Sequence, residues 1–457
     1  MKMNPSIFRE YDIRGVADVD YDEAFVQALG RAYGTLLGRE NITRVAVGRD
    51  CRLTSPVYHA VLKSGIRSAG IDVVDIGECP SPLMYFSVFH LDLMGGIQVT
   101  GSHNPPTHNG FKIMIGKATI HGDVVQELRR IIESGEMASG DGVEEAYPVI
   151  PAYQGYLEEQ FGRAGEGIKV VVDSGNGTGG PVGPPIYRSM GCDVIEMYSE
   201  PDGRFPNHHP DPTEEKNMCD LVARVQQEGA ALGIAFDGDS DRIGAVDDQG
   251  RIMWGDELLV VFAREVLLQN PGATVVSEVK CSQRLYDDIE KHGGKPIMWK
   301  VGHSLLKAKM KETGALLGGE MSGHLFFADR YFGFDDAVYA GARLIETLKR
   351  TNRKLSEMLS DLPESVCTPE IRIDCSDDIK FKLAERASAR FKELGYETVD
   401  IDGVRILFDD GWGLIRASNT QPVLVTRFES SNQDNLKKNR ELVEAELEAL
   451  KGELAAA

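Results

Sequence analysis

A strand, a helix and a strand, repeated until a third strand runs out into a polar loop, is the pattern that most restricts this chain, and it occurs three times. The middle round is the plainest. The run Ile168-Lys169-Val170-Val171-Val172-Asp173 is followed by a second strand-like run at 193–197, an amphipathic stretch at 213–227 and a third apolar run at 231–236. In the first round, Phe25, Ala28, Leu29, Ala32, Tyr33, Leu36 and Leu37 recur at helical spacing within 21–38, and Gly38 stops that helix. Strands are expected at 45–47, 71–76 and 96–99, and Ser55-Pro56 and Ser81-Pro82 each open a helix with the serine as N-cap. In the third round Asp256 N-caps a helix over 257–268 that ends at Pro271-Gly272. Strands follow near 274–276, 296–299 and 315–317, separated by helices from Gln283 and from Ser304. Strands alternating with helices imply right-handed crossovers and a mostly parallel sheet.

Each third strand empties into a chemically loaded loop. In the first round it is Thr100-Gly101-Ser102-His103-Asn104-Pro105-Pro106, in the second Asp237-Gly238-Asp239-Ser240-Asp241-Arg242, and in the third Glu320-Met321-Ser322-Gly323-His324. Open α/β sheets bind ligands beyond the carboxyl ends of their strands. Three such units therefore build one composite site between domains.

The last ninety or so residues leave this rhythm. Strands near 371–374, 398–401 and 404–408, with helices over 378–394 and 435–450, predict a smaller α+β domain that carries Arg416-Ala417-Ser418-Asn419-Thr420-Gln421-Pro422 and Arg427. The expected architecture is α/β: three similar domains with mixed, mostly parallel sheets at 1–150, 151–252 and 253–366, plus an α+β domain at 367–457, arranged around a central cleft. No low-complexity linker separates them, which predicts contacting domains with limited hinge freedom.

Charge narrows the partners. Fifty basic against seventy-one acidic residues leave a formal charge of −21. That field repels polyanions, so nucleic acid is not expected, and an anionic substrate needs local cations to overcome it. No run approaches about 18 apolar residues and residues 1–6 carry no apolar leader core. A cytoplasmic protein without membrane attachment is expected, and seven scattered cysteines without a CxxC pair fit reduced thiols.

Ser102, on a loop stiffened by two prolines, is either part of a polar turn or a nucleophile and phosphate carrier. Asp237, Asp239 and Asp241 alternate after a strand, so their carboxylates can converge on one hard cation such as Mg²⁺ or Ca²⁺, the alternative being an acidic surface turn. An EF-hand is excluded, because Arg242 stands where its loop needs glycine and a strand precedes the loop. Arg416, Ser418, Asn419 and Thr420 offer a guanidinium, hydroxyls and an amide, an inventory suited to phosphate or to a capped turn. Glu320, Ser322 and His324 suit sugar hydroxyls or a helix cap. Lys112 is a surface charge, or a base if neighbouring cations lower its pKa.

Set side by side, these loops and Phe8-Arg9-Glu10-Tyr11-Asp12-Ile13-Arg14-Gly15 resemble the α-D-phosphohexomutase superfamily over essentially the whole chain, in the family's own order. Within it the bacterial phosphomannomutase/phosphoglucomutase group is the most similar. The resemblance implies a phosphoryl group carried on Ser102 and one Mg²⁺ held by Asp237, Asp239, Asp241 and a phosphoserine oxygen. It also implies a hexose 1,6-bisphosphate that serves as intermediate and activator. It places Arg416, Ser418, Asn419 and Thr420 on the phosphate that is not transferred, and Glu320 and Ser322 on sugar hydroxyls. His324 and Lys112 would handle protons; Arg14, His103 and Arg242 would take part in catalysis, and Tyr11, Lys280 and His303 would line the substrate site. Relatives often have glycine where this chain has Ser240, a position that is not a ligand. The implied substrates are mannose and glucose phosphates, with a phosphoglucosamine mutase, a sugar-phosphate phosphatase and a non-catalytic sensor as the alternatives. A monomer is expected, with a dimer as the alternative.

Overall fold

The computed structural model describes residues 1–418 and 422–456, without the side chains of 377, 455 and 456. Its three α/β sheets share one arrangement. In the first, Asp72–Glu78, Arg44–Arg49 and Gly95–Val99 lie side by side in parallel. The second repeats this with Asp193–Met197, Lys169–Asp173 and Leu232–Phe236, and the third with Lys295–Trp299, Thr274–Glu278 and Leu317–Gly319.

Sequence reasoning missed a return strand in every unit. His108–Ile115, Ile243–Asp247 and Leu325–Phe327 each pair antiparallel with the third parallel strand of their sheet. A parallel strand would need a crossover of a dozen or more residues, whereas these segments come back after a short loop and can pair only antiparallel. The three loaded loops are those reversals.

Three expected helix caps are corrected. Ser55 and Ser81 are the first helical residues, after Thr54 and Pro80, and neither of those two makes a side-chain cap bond. The Ser55 hydroxyl instead donates to Asp50, and the Ser81 hydroxyl to Asp239. Asp256 lies in the first turn of Gly255–Gln269, after Trp254, and accepts from the Ser282 N–H at 2.9 Å. A cap bond is worth about 1 kcal/mol; a buried carboxylate left without donors costs more.

One continuous apolar core crosses the first three domains, running from Val74 and Phe86 through Tyr153 and Phe236 to Phe327 and Tyr339. The fourth domain keeps its own core. Val404, Ile406, Ile415, Ala417, Leu424 and Phe428 of its antiparallel sheet pack on helices Asp377–Glu393 and Gln433–Ala456. Its apolar link to the rest is the small cluster of Val279, Trp412 and Leu414.

Asp336 marks a seam in the shared core. It caps Ala337–Thr351 through the Tyr339 N–H at 2.9 Å, and its other oxygen accepts from the hydroxyls of Tyr153 at 2.8 Å and Tyr331 at 2.9 Å. Burial pushes its pKa up to about 6, against those hydrogen bonds. A folded pKa above the unfolded one gives stability that is complete below about pH 3.8 and is lost as pH rises through about 6. Asp336→Asn keeps the shape without the charge. Its thermal midpoint is expected to gain on the parent progressively between about pH 4 and 6 and to keep that gain at higher pH, and scanning both proteins from about pH 4 to 8 checks it.

Candidate active site

A buried arginine that sequence reasoning overlooked shapes the Ser102 loop. Arg52 follows strand Arg44–Arg49, at the same carboxyl end as Ser102. Its guanidinium donates to the carbonyls of Ser102 and Asn104 at 2.6 Å each, Pro105 at 2.6 Å and His108 at 2.9 Å. Asp50 anchors it at 3.2 Å and also accepts from the Gly101 N–H at 3.1 Å. A Cβ on Gly101 would lie 2.5 Å from Arg52 Nε, so the loop wraps the guanidinium only with glycine there. Held this way, Ser102 sits at φ +49°, with its N–H donating to Thr100 Oγ1 at 2.8 Å.

The Ser102 hydroxyl points across the domain boundary and donates to Asp237 Oδ2 at 2.8 Å. Gly238 permits the approach, since a Cβ there would lie 2.5 Å from the Ser102 carbonyl. Asp237 Oδ1 accepts from the N–H groups of Asp241 at 3.0 Å and Arg242 at 3.1 Å, which curls the loop so that the three aspartates converge. Ser240 takes φ +59° in that curl, a conformation glycine adopts without strain. Asp239 is gripped wholly from the first domain, by Ser81, by Thr100 at 3.1 Å and by Lys112 at 2.7 Å.

All three carboxylates are buried, with oxygens within 4.8 Å of one another. Burial and mutual repulsion push Asp237 and Asp241 up, while Lys112 overrides burial to hold Asp239 down. Asp239 Oδ1 and Asp241 Oδ1 accept no hydrogen bond among the described residues. Buried oxygens of this kind, in a site with more negative than positive groups, fit a hard divalent cation. Lys112 also donates to Asp241. Burial alone would lower its pKa, but the aspartates outweigh it and raise it. The lowered pKa expected of a base is therefore absent, because its nearest charges are anions.

Arg242 carries the site into the third domain. Its Nε–H donates to His324 Nε2 at 2.9 Å, and His324 Nδ1 faces Asp335 Oδ2 at 3.0 Å. These contacts assign the proton to Nδ1. Asp335 is held in turn by Lys307 at 2.8 Å. His303 stacks on His324 with centroids 5.5 Å apart and meets the Tyr11 ring edge-on at 5.2 Å, which brings the N-terminal motif into the cleft. Burial, then Asp12, pushes the Tyr11 phenol up to about 12. Glu320 accepts from the Gly302 N–H at 2.6 Å and from the Ser322 hydroxyl at 3.3 Å. Arg14 donates to Asn104 Oδ1 at 3.1 Å and pairs with Asp12 at 2.7 Å. His103 meets Asp211 at 2.9 Å, and burial, aided by Arg242, lowers its pKa to about 3.

The fourth domain joins through Asp402, whose Oδ2 accepts from Arg416 Nε at 3.1 Å and from the Val301 N–H at 3.1 Å. Lys280 donates to Glu370 at 3.1 Å. Ser418 is buried; Asn419 and Thr420 lie outside the described residues. Arg52, Asp50, Asp211, Asp335 and Asp402 went unnoticed in the sequence. Only Asp50 and Arg52 gave a signal, polar residues at the end of a strand.

Comparison with known proteins agrees with this geometry. The phosphoglucomutase/phosphomannomutase alpha/beta/alpha domains I, II and III match residues 5–139, 152–250 and 254–366, and that family's C-terminal domain matches 370–446. A Pseudomonas aeruginosa phosphomannomutase/phosphoglucomutase is 45% identical over 98% of this chain and 97% of its own. A Neisseria gonorrhoeae phosphoglucomutase is 40% identical over 97% of each. The crystal structure of a phosphoglucomutase/phosphomannomutase family protein from Burkholderia thailandensis superposes with a TM-score of 0.93 at 41% identity, covering 98% of both chains. The chain belongs to the phosphoglucomutase/phosphomannomutase family. It is an enzyme, a phosphohexomutase.

The Arg52 cradle carries a prediction. Arg52→Lys keeps the charge but cannot span four carbonyls, and a small misplacement of a reacting group costs up to about 100-fold. We expect kcat to fall by about 10- to 100-fold while the circular-dichroism spectrum is unchanged, as steady-state kinetics on the folded variant will show.

Proposed function

We propose that the protein interconverts the 1- and 6-phosphates of mannose and of glucose through a phosphoserine at Ser102. The observation that carries this reading is the Ser102 hydroxyl bonded to Asp237 inside a carboxylate cluster with unfilled oxygens. Among the described residues no helix is long and apolar enough to cross a membrane. A monomeric enzyme acting on small hexose phosphates in the cytoplasm fits this and the charge balance.

The cycle uses the residues as follows. The P–O bond to Ser102 Oγ breaks as a new P–O bond forms to the free 1- or 6-hydroxyl of the bound hexose phosphate, and the proton of that hydroxyl passes by way of His324 or Lys112 to the Ser102 oxygen. The resulting hexose 1,6-bisphosphate turns over within the cleft. Its other phosphoryl group then passes to Ser102 Oγ, and the sugar oxygen it leaves takes up the proton that the serine gives back. Asp237, Asp239 and Asp241, with an oxygen of phosphoserine 102, would hold Mg²⁺. When bound, that ion supplies charge neutralisation at the transferring phosphoryl group.

The remaining steps belong to the protein. Arg416 and Ser418, with Asn419 and Thr420, anchor the phosphate that is not transferred, in either orientation of the sugar. Lys280 and His303 line the same end, and Glu320 and Ser322 receive sugar hydroxyls. Arg14 holds Asn104 and with it the turn after Ser102. His324 has its Nδ1 proton directed at Asp335, which leaves Nε2 as the basic atom once Arg242 turns to phosphate. Lys112 stays an ammonium while its carboxylate neighbours are charged, and exchanges protons only when they are neutralised. His103, uncharged against Asp211, leaves the positive charge around Ser102 to Arg52, Lys112, Arg14 and Arg242.

Arg416 and Ser418 of the fourth domain, which anchor a second phosphate in this reading, suit an enzyme that must retain a bisphosphate better than one that releases phosphate, which disfavours the phosphatase reading. Two measurements check the proposal. Incubated with glucose 1,6-bisphosphate, the intact protein is expected to gain the mass of one phosphoryl group and Ser102→Ala to gain none; an unmodified parent protein defeats the mechanism. In coupled assays, turnover of mannose and glucose phosphates is expected to exceed that of glucosamine phosphate, and a strong preference for the amino sugar would transfer the protein to the phosphoglucosamine mutases.

A further inference from the structure

The fourth-domain sheet has two unlike faces, and the second is unusual. Residues paired across antiparallel strands point to the same side, as do alternate residues along one strand. Arg405 pairs with Leu414, and Leu414 with Arg427, so these three form one row; Trp412 and Arg416 flank Leu414 on the same side. This face therefore carries three buried arginines and a tryptophan, while the opposite face packs on the helices.

Two of those arginines hold a single turn of the third domain. Arg405 Nη1 donates to the carbonyls of Val279 at 2.8 Å and Cys281 at 2.9 Å, and Nη2 reaches Gln283 Oε1 at 3.1 Å. Arg427 donates to the carbonyl between them, that of Lys280. Both guanidinium groups lie over the Trp412 ring, at 3.9 and 5.9 Å. Trp412 and Ser282 are tied in turn to the carboxylate of Glu429, at 2.9 and 2.7 Å.

Arg405 is fully buried, and among the described residues no carboxylate lies within ion-pair distance of it; its hydrogen bonds go to neutral oxygens of one turn. Burying a charge this way is costly. What the contacts provide is geometry at Lys280. A lysine is a point charge on a flexible stem and cannot define a phosphate position unless its backbone is fixed. The Lys280 ammonium reaches the fourth domain, donating to Glu370 at 3.1 Å, and Arg416 stands on the sheet face that carries Arg405, two residues from its partner Leu414; Glu370 and Glu278 outweigh burial and keep Lys280 protonated.

We propose that Arg405 is a positioning residue for phosphate capture: by clamping the carbonyls on either side of Lys280, it sets that ammonium beside Arg416 of the same sheet face, so that two domains present one paired cationic site. The inference rests on the assignment of Lys280 and Arg416 to the substrate phosphate.

The test uses the full-length enzyme and the variants Arg405→Lys, Arg405→Met, Lys280→Met and Arg405→Lys/Lys280→Met, assayed with glucose 1-phosphate. Arg405→Lys keeps the charge and most of the packing but reaches one carbonyl, so it remains informative if Arg405→Met does not fold. The expected result is a KM raised about 10-fold in Arg405→Lys with kcat little changed, the signature of lost uniform binding. Lys280→Met should raise KM comparably, and the double variant should be no weaker than Lys280→Met alone, because both act through one group. A wild-type KM in Arg405→Lys beside a weakened Lys280→Met overturns the inference. So does a double variant whose losses simply add. A wild-type KM in Lys280→Met would instead remove Lys280 from the phosphate site, a failure of the underlying assignment that is read separately.

Discussion

Asp239 is where the architecture and the chemistry meet. Its loop belongs to the second domain, yet Ser81, Thr100 and Lys112, which hold its carboxylate, all belong to the first, and the Ser81 N–H binds its backbone carbonyl at 2.9 Å. A buried carboxylate needs donors, and no neighbour within its own domain supplies them. The first two domains must therefore dock for the acidic loop to be tolerable, and docking delivers Asp237 to the Ser102 hydroxyl. Assembly of the site and assembly of the interface are one event.

Repetition explains why so much converges. Each α/β unit reverses direction after its third strand, and the reversing loop is freed from regular hydrogen bonding at the sheet edge that faces the cleft. Three such reversals give the Ser102 loop, the acidic cluster and the Glu320–His324 loop. The fourth domain differs in kind, with a self-contained core and a junction to the third made of buried hydrogen bonds around one small apolar cluster, Val279, Trp412 and Leu414.

The loops were legible in the sequence because each concentrates several chemical groups within a few residues at the end of an apolar run. What was not legible acts alone. Arg52 reads as one arginine among many, and only the fold brings four carbonyls around it; Asp335 and Asp402 are lone acids whose partners lie far along the chain. The misplaced caps have a related cause. Ser55, Ser81 and Asp256 sit beside helix starts, where local propensity favours a cap, but buried tertiary partners outbid the local bond. The return strands escaped because a segment such as His108–Ile115 carries too few alternating residues to declare its direction, which the short preceding loop alone decides. The choice between a surface charge and a base at Lys112 could not be made without its neighbours, which are buried aspartates and not other cations.

The depth of Ser102 has a consequence for how the enzyme is switched on. With 2% of its surface exposed and its loop wrapped around Arg52, the serine cannot be drawn out into the cleft of a protein kinase. In the proposed cycle its phosphoryl group comes from a sugar bisphosphate inside the site. That group is then a private store, handed back at the end of every cycle and lost only when a half-reacted sugar escapes. Each molecule thus retains a record of whether it last released a product or an intermediate.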